Sequence, residues 1–262
     1  MNYYNEIDLK TAAWLRELIN RGHLPPGDVD TRSITEVKPD DLKPYTQCHF
    51  FAGIGGWPLA LALAGWSYRT PVWTGSCPCQ PFSSAGKGLA QADERHLWPV
   101  FFDLIRQCRP ECVFGEQVAS AIGKGWLDGV SADLEAEGYA CGAAVLGAHS
   151  KAAPHARERL FWVADPNGER HLGKTRPEAK WESPIPSVWE SAQIFKAGQR
   201  GVDELVSRRI TQRVSSYSDA HGLLHGIPAR VVRLRGYGNA IVPQVAAEFI
   251  RAYIESTEAA CL

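Results

Sequence analysis

The chain carries almost no net charge. Its 28 lysine and arginine residues meet 29 aspartate and glutamate residues, leaving −1 at pH 7. A chain-wide basic field is therefore absent, and any contact with nucleic acid has to come from local patches. Long apolar runs are missing too: the longest, such as "PLALALAGW", falls well short of the ~20 residues that cross a bilayer. The N-terminus "MNYYNEIDLK" lacks the basic and apolar regions of a secretory leader. The seven cysteines are odd in number and widely scattered, unlike a dense disulfide framework. Repeats and long low-complexity tracts are absent as well. Together these absences predict a soluble, cytoplasmic protein in a reducing compartment.

What is present is a chain of 262 residues, 45% of them hydrophobic, enough for one domain or one domain with a small appendage. "LKTAAWLRELIN" (Leu9–Asn20) has helical spacing at Trp14, Leu15, Leu18 and Ile19, and "RGHLPPGDVD" stops it. "SITEV" reads as a short strand, "QCHFF" as another that runs into "AGIGG", and Leu59–Ala64 as a helix. "PVWTG" is a strand, "LWPVFFDLIRQC" a helix, "ECVFGEQV" a strand with its exit, and "GWLDGVSADLEAEG" a helix. "YACGAAVLGA" and "RLFWVA" complete the strands. This alternation predicts an α/β sheet with parallel strands. Near Asp165 the pattern breaks into polar, proline-bearing sequence that still holds Trp181, Trp189 and Phe195. Arginine is dense from Arg200 to Arg235, and helical spacing returns at Val245, Phe249, Ile250 and Tyr253.

Several short stretches are candidates for chemistry. "FFAGIGGW" joins a strand to a helix, where glycines let a ligand approach the backbone; an ordinary turn explains it equally well. In "SCPCQPFSSAGKG" the C-x-C spacing and the lack of a second pair argue against zinc. A proline before Cys79 and a Ser/Gly loop after it present that side chain at the end of a strand, where α/β sheets place active sites; an inert buried thiol is the alternative. Glu116 ends the next apolar strand, and burial there raises its pKa so that it stays protonated and donates; a helix cap or ion pair is the alternative. Arg157 and Arg159 share one face of a strand, as a solvated basic strand also would. Asn239 in "GYGNAIVPQ" sits just before a helix and serves equally well as its cap.

The order of these segments carries more than any one of them. "FFAGIGG", "GSCPCQPFSSAGKG", "GEQVAS", "APHARERLFWVA" and "GYGNAIVPQVA" together resemble the cytosine-5 DNA methyltransferases. The resemblance covers most of Phe50–Ala164 and Arg235–Ala247. It implies a mostly parallel, doubly wound α/β sheet of the S-adenosylmethionine-dependent methyltransferase type. The catalytic and cofactor-binding domain is then 1–164, continued by 234–262, with a short, irregular target-recognition region at 165–233. The resemblance implies S-adenosylmethionine as cofactor, held by Phe51, Ala52, Gly53, Ile54, Gly55, Gly56, Pro78, Asn239 and Ala240. It implies double-stranded DNA as substrate, with no metal, in a bacterial or phage-infected cell. Cys79 is the implied nucleophile at carbon 6 of a flipped-out cytosine, because its thiolate turns carbon 5 into an enamine carbon able to take a methyl group. Glu116 holds the base edge and protonates its ring nitrogen, Arg159 contacts the ring oxygen and Arg157 supports the same network. Gln80, Ser83, Lys87 and Gln117 are implied substrate contacts. Ser83–Gly88 is expected to close as a lid, with phosphates bound by Lys87 and by arginines of Arg208–Arg235.

The sequence departs from the family in three places. Only about twenty residues separate Trp57 from Cys77, where the family carries the acidic ribose ligand and an adenine-framing strand. Those elements are expected at the N-terminus, as a local permutation: Glu6 as the ribose ligand with Ile7 on the adenine, then Ser33 and Ile34 in the next segment. Asp28 and Asp30 rival Ser33, and an unrelated N-terminal helix is the alternative. Gln117 stands where the family has asparagine. The target-recognition region has only about seventy residues, so a protein partner or self-association is a candidate source of specificity. Two other functions compete. Thiol addition to carbon 6 also labilises the amino group, which permits deamination to uracil, and a non-catalytic DNA-binding relative is the third class. A restriction companion, phage self-protection and a regulatory mark leave the same sequence.

Overall fold

The computed structural model describes residues 1–78, 97–148, 157–166 and 240–259. Among these residues seven strands form one sheet: β1 (Asn2–Asn5), β2 (Gly27–Asp30), β3 (Gln47–Phe50), β4 (Val72–Gly75), β5 (Val113–Val118), β6 (Tyr139–Gly147) and β7 (Glu158–Pro166). Their spatial order is β2-β1-β3-β4-β5-β7-β6. The first five pair in parallel, and β7 runs antiparallel to both β5 and β6. The expected mostly parallel α/β sheet is thus present, and its last two strands form the antiparallel exception. Among the described residues six α-helices cover it: α1 (Leu9–Asn20), α2 (Pro39–Leu42), α3 (Gly56–Ala64), α4 (Trp98–Cys108), α5 (Trp126–Ala136) and α6 (Pro243–Ala259). Among the described residues no helix is long and apolar enough to cross a membrane.

Three N-terminal segments behave differently from their sequence reading. Asn2–Asn5 is a strand, buried at all four positions because it lies inside the sheet with helices on both faces. The "GDVD" of the predicted helix stop is the edge strand β2. The predicted strand "SITEV" is instead a 3-10 turn at Ile34–Glu36. Here local hydrogen bonding overrides β-branched propensity: the Glu36 carboxylate accepts from the Ser33 amide at 3.0 Å, and Ser33 Oγ accepts from the Thr35 amide at 3.3 Å, closing a capping box. Helix α1 forms as its spacing predicts, with the Asp8 carboxylate accepting from the Thr11 amide at 2.8 Å.

The sheet alternates two faces. Tyr3, Cys48, Phe50, Trp73 and Val113 pack with Phe101, Leu104 and Ile105 of α4 and Val130 and Leu134 of α5. On the other face, Phe114 and Phe161 pack with Trp57 and Leu61 of α3 and Val245 and Ile250 of α6. Two glycines set how closely the first layer sits. A Cβ at Gly75 would stand 2.6 Å from the Phe101 ring, and one at Gly115 would stand 2.1 Å from the Trp162 ring. Trp162 cannot retreat easily, since Trp98 meets it edge-on at 5.7 Å.

The second face also buries a polar chain. Gln47 Nε2 donates to the carbonyls of Ser67 and Thr70, so its Oε1 must accept, and it accepts from Asn2 Nδ2 at 3.3 Å. The same Asn2 amide donates to His49 Nε2 at 3.4 Å, which leaves the imidazole proton on Nδ1, 2.9 Å from Thr74 Oγ1. This network fixes β1 against β3 and β4 in one register, where an apolar interior would tolerate slippage.

Two measurements check this layout. Gly115→Ala is expected to lower unfolding free energy in urea by about 2–3 kcal/mol, with at least half returning in Gly115→Ala/Trp162→Phe. His49 is fully buried, and burial pushes its pKa down to about 3, below the ~6.5 of the unfolded chain. Its neutral form therefore supports the fold fully above about pH 6.5, and that support is lost as pH falls from there toward 3. Between pH 8 and pH 5 the wild-type chain is expected to lose about 2 kcal/mol more than His49→Gln.

Candidate active site

The parallel strands β1, β3, β4 and β5 all end at one edge, and the candidate residues leave from it. Registers align Asn5 with Phe50, Phe50 with Gly75, and Gly75 with Gly115. Glu6, the turn Phe51–Gly55, Ser76 and Glu116 are the next residues on each strand. Carboxyl ends of parallel strands are where open α/β sheets bind ligands.

The Phe51–Gly56 turn is shaped by left-handed backbone. Gly53 and Gly55 take φ of 55° and 81°, and Phe51 takes φ of 53°. That angle costs a bulky residue of order 1–3 kcal/mol, a strain that clusters at ligand sites. A Cβ at Gly53 would meet no atom within 4 Å, so the turn faces open space there. Glu6 closes its other side: Glu6 Oε2 accepts from the Gly53 amide at 2.8 Å, and Oε1 accepts from the Asp8 amide at 2.9 Å. Burial pushes the Glu6 carboxyl up, and the two amides pull it back. Each carboxylate oxygen keeps a second lone pair, so the group can accept two further hydroxyls from a ligand. Ile7 beside it is 63% exposed. Gly56, the first residue of α3, packs against Ile241: an added Cβ would stand 2.7 Å from that side chain.

The second half of the site centres on Glu116, which is 7% exposed. Arg159 lies diagonally across the β5–β7 pairing, with its Nε 2.8 Å from Glu116 Oε1. Burial raises the Glu116 pKa, and the nearby Arg159 and Arg157 oppose the shift without cancelling it. Arg157 Nη2 donates to the Ala240 carbonyl at 2.9 Å, tying β7 to the turn that precedes α6. Gln117 is 2% exposed; its Nε2 donates to the Cys77 carbonyl at 3.4 Å and its Oε1 accepts from the Val118 amide at 3.0 Å. Cys77 is buried, and burial holds its thiol well above the usual range, whereas Pro78 is exposed.

The edge thus gathers Glu6, Ile7, Phe51, Ala52, Gly53, Ile54, Gly55, Gly56, Pro78, Glu116 and Gln117, with Arg159 paired to Glu116 and Arg157 to Ala240. Ser33 and Ile34 are placed differently. Ser33 Oγ also accepts from Thr35 Oγ1 at 2.8 Å, and Ile34 is 3% exposed within the core. The rival carboxylates have structural partners: Asp30 accepts from Tyr3 Oη at 2.8 Å and pairs with Arg32, and Asp28 accepts from Tyr45 Oη at 2.7 Å. Cys79, Gln80, Ser83, Lys87, Asn239, the Ser83–Gly88 loop and the Arg208–Arg235 arginines lie outside the described residues, as does nearly all of 165–233. Among the described residues no group of three His, Cys, Asp or Glu is placed to hold a metal. Two polar side chains that the sequence reading passed over also belong here. Trp57 Nε1 donates to Ser76 Oγ at 3.0 Å, and Ser76 follows Gly75, the register partner of Gly115, on the strand next to that of Glu116. A tryptophan in the first turn of the apolar helix "GWPLALALA" was the available signal.

The chain is 36% identical over 95 residues to the type II methyltransferase M.AplI of Arthrospira platensis, a stretch that is 36% of this chain and 28% of that protein. Solved structures give more distant likenesses. A mutant of Spodoptera frugiperda DNMT2 is 14% identical with a TM-score of 0.41, covering 67% of this chain and 53% of its own. Dnmt2 of S. pombe is 13% identical with a TM-score of 0.42, covering 77% and 57%. The chain therefore spans little more than half the length of these solved relatives. The profile of the C-5 cytosine-specific DNA methylases matches residues 67–221, more than half of the chain, and the protein belongs to that family.

Proposed function

We propose that this protein is a DNA (cytosine-5) methyltransferase that uses S-adenosylmethionine. The observation that carries this reading is the single sheet edge at which Glu6 and the open Gly53 turn stand beside the buried Glu116–Arg159 pair. The donor set fits the cofactor: Glu6 accepts the ribose hydroxyls, Ile7 offers an apolar flank, and the Phe51–Gly56 turn supplies backbone N–H groups at the start of α3. S-adenosylmethionine supplies an electrophilic methyl group on a sulfonium. The N-terminal pair β1–β2 is read as the family's displaced cofactor segment. Its position beside β3, with Glu6 against the glycine turn, supports that reading.

The chain's own residues do the rest. The target cytosine leaves the duplex, at a cost of a few kcal/mol. The Cys79 thiolate adds to carbon 6, forming the S–C6 bond as the C5–C6 π pair shifts to carbon 5. Glu116, whose pKa burial raises, donates to ring nitrogen 3 in its protonated form, while Arg159 holds Glu116 and faces the ring oxygen. After methylation a base removes the carbon 5 proton, and those electrons expel Cys79 as thiolate. Arg157 supports the pocket through the Ala240 carbonyl, and Gln117 braces the Cys77 backbone two residues before the nucleophile. Gln80, Ser83 and Lys87 are assigned to the substrate. Residues 165–233 are assigned to target recognition, helped by a partner or by self-association.

Two experiments test this. Duplex DNA incubated with labelled S-adenosylmethionine is expected to gain 5-methylcytosine, and Cys79→Ser is expected to abolish the gain. Uracil formed without cofactor consumption would replace this reading with deamination. Calorimetric titration is expected to show Glu6→Ala weakening cofactor binding at least about tenfold, the cost of one or two charged hydrogen bonds. An unchanged affinity would remove the N-terminal segment from the cofactor site.

A further inference from the structure

Side chains from two other elements prop the glycine turn of the cofactor half. Leu24, 3% exposed, fills the space beside Gly55, where an added Cβ would stand 2.3 Å from its Cδ1. Ile241, 7% exposed, does the same at Gly56, where an added Cβ would stand 2.7 Å from its Cγ1. Leu24 is seated with Tyr4, Leu15 and Ala52, against the strand that leads to Glu6. Ile241 belongs to the short segment ahead of α6, and a polar contact sets its seat. The α6 ladder starts at the Val242 carbonyl, which accepts from the Ala246 amide at 3.1 Å. The Ala240 carbonyl lies before that ladder, and Arg157 Nη2 donates to it at 2.9 Å. Arg157 is itself fixed at the start of β7, where its carbonyl accepts from the Ala148 amide at 2.9 Å. The Ala240 carbonyl and the Ile241 amide form one planar peptide unit. Holding that carbonyl therefore fixes the plane from which the Ile241 side chain projects. A strut thus runs from β7 through Arg157, Ala240 and Ile241 to Gly56, the first residue of α3.

We propose that Arg157 and Ile241 are positioning residues for the methyl donor, holding the glycine turn and the start of α3 in the shape that meets S-adenosylmethionine. The assignment rests on the cofactor reading for its consequence but not for its geometry. It moves Arg157 from the base side of the site, where the sequence reading placed it, to the donor side. Neither residue touches a reacting atom. The turn needs a prop because Phe51 opens it at positive φ, and such strain persists only where the surroundings over-determine it. Without the strut the turn samples other shapes, and cofactor affinity falls in proportion to the time spent in them.

The first test needs no cofactor. The Gly53 amide donates to Glu6 at 2.8 Å and the Gly55 amide to the Ala52 carbonyl at 2.9 Å, so their hydrogen exchange reports opening of the turn. Arg157→Met removes every donor and keeps an unbranched stem. In it these two amides are expected to exchange about tenfold faster, while the Phe114 amide in β5 stays within about twofold of wild type. Unchanged exchange at the turn, or equal acceleration at Phe114, overturns the strut. The second test is calorimetric titration with S-adenosylmethionine. Arg157→Met and Ile241→Ala are each expected to weaken binding about fivefold, and the double variant no more than about twofold beyond the weaker single, because both cut one path. Ile241→Val takes its place in the cycle if the alanine protein does not fold. Losses that multiply independently, or wild-type affinity in Arg157→Met, defeat the assignment. On duplex DNA, the loss of kcat/KM in Arg157→Met is expected to reside in KM for S-adenosylmethionine. A loss in kcat with that KM unmoved returns Arg157 to the base side and defeats the assignment too. A wild-type protein that binds no S-adenosylmethionine defeats the functional reading alone, and the exchange rates still decide the strut.

Discussion

One hydrogen bond, from the Gly53 amide to the Glu6 carboxylate, joins parts of the chain 47 residues apart, and the cofactor half of the site depends on it. The Gly53 amide belongs to a turn whose φ values leave it no partner in regular structure. Glu6 supplies that partner because β1 lies in parallel beside β3 and ends level with it. The pairing is fixed from below by Asn2, Gln47 and His49, whose polar groups satisfy one another only in this register. A buried polar network is costly when half satisfied, so the arrangement is nearly all-or-none. The strand that delivers Glu6 and the network that holds the strand are one device.

The other half obeys a different constraint. Glu116 is a carboxyl within β5, just past the last pairing of that strand with β4, and burial alone would favour its neutral form and leave it loosely aimed. Arg159 supplies direction from β7, which meets β5 only in the folded sheet. Local sequence at Glu116 says nothing of it. The site works as a set of parallel strand ends, each contributing the one or two residues that follow its last pairing with a parallel neighbour.

This explains what was legible beforehand. The helices and the central strands announced themselves, because α1, α4 and α5 have helical apolar spacing and β3, β4, β5 and β7 are apolar runs bounded by turn residues. The motifs around Gly53, Glu116 and Arg159 were equally plain. "MNYYNE" was harder: two asparagines in a fully buried strand contradict hydropathy, and partners distant in sequence make them tolerable, Gln47 and His49 for Asn2 and the Arg32 carbonyl for Asn5. "SITEV" failed for the opposite reason, since a serine and a glutamate three residues apart outcompeted the strand preference of Ile34 and Val37. Ser76 was invisible because its partner Trp57 lies 19 residues away on another element.

The floor of the sheet carries one more consequence. Gly75 and Gly115 are register neighbours, and the space their side chains would fill is taken by Phe101 from α4 and by Trp162 from β7. Each glycine is thus half of a volume whose other half lies on another element. Divergence at this layer is a two-body process: a larger residue on β4 or β5 enters only as its aromatic partner shrinks. Drift that is free elsewhere in the core is yoked here into pairs, and each pair sits one residue before a member of the site, Gly75 before Ser76 and Gly115 before Glu116.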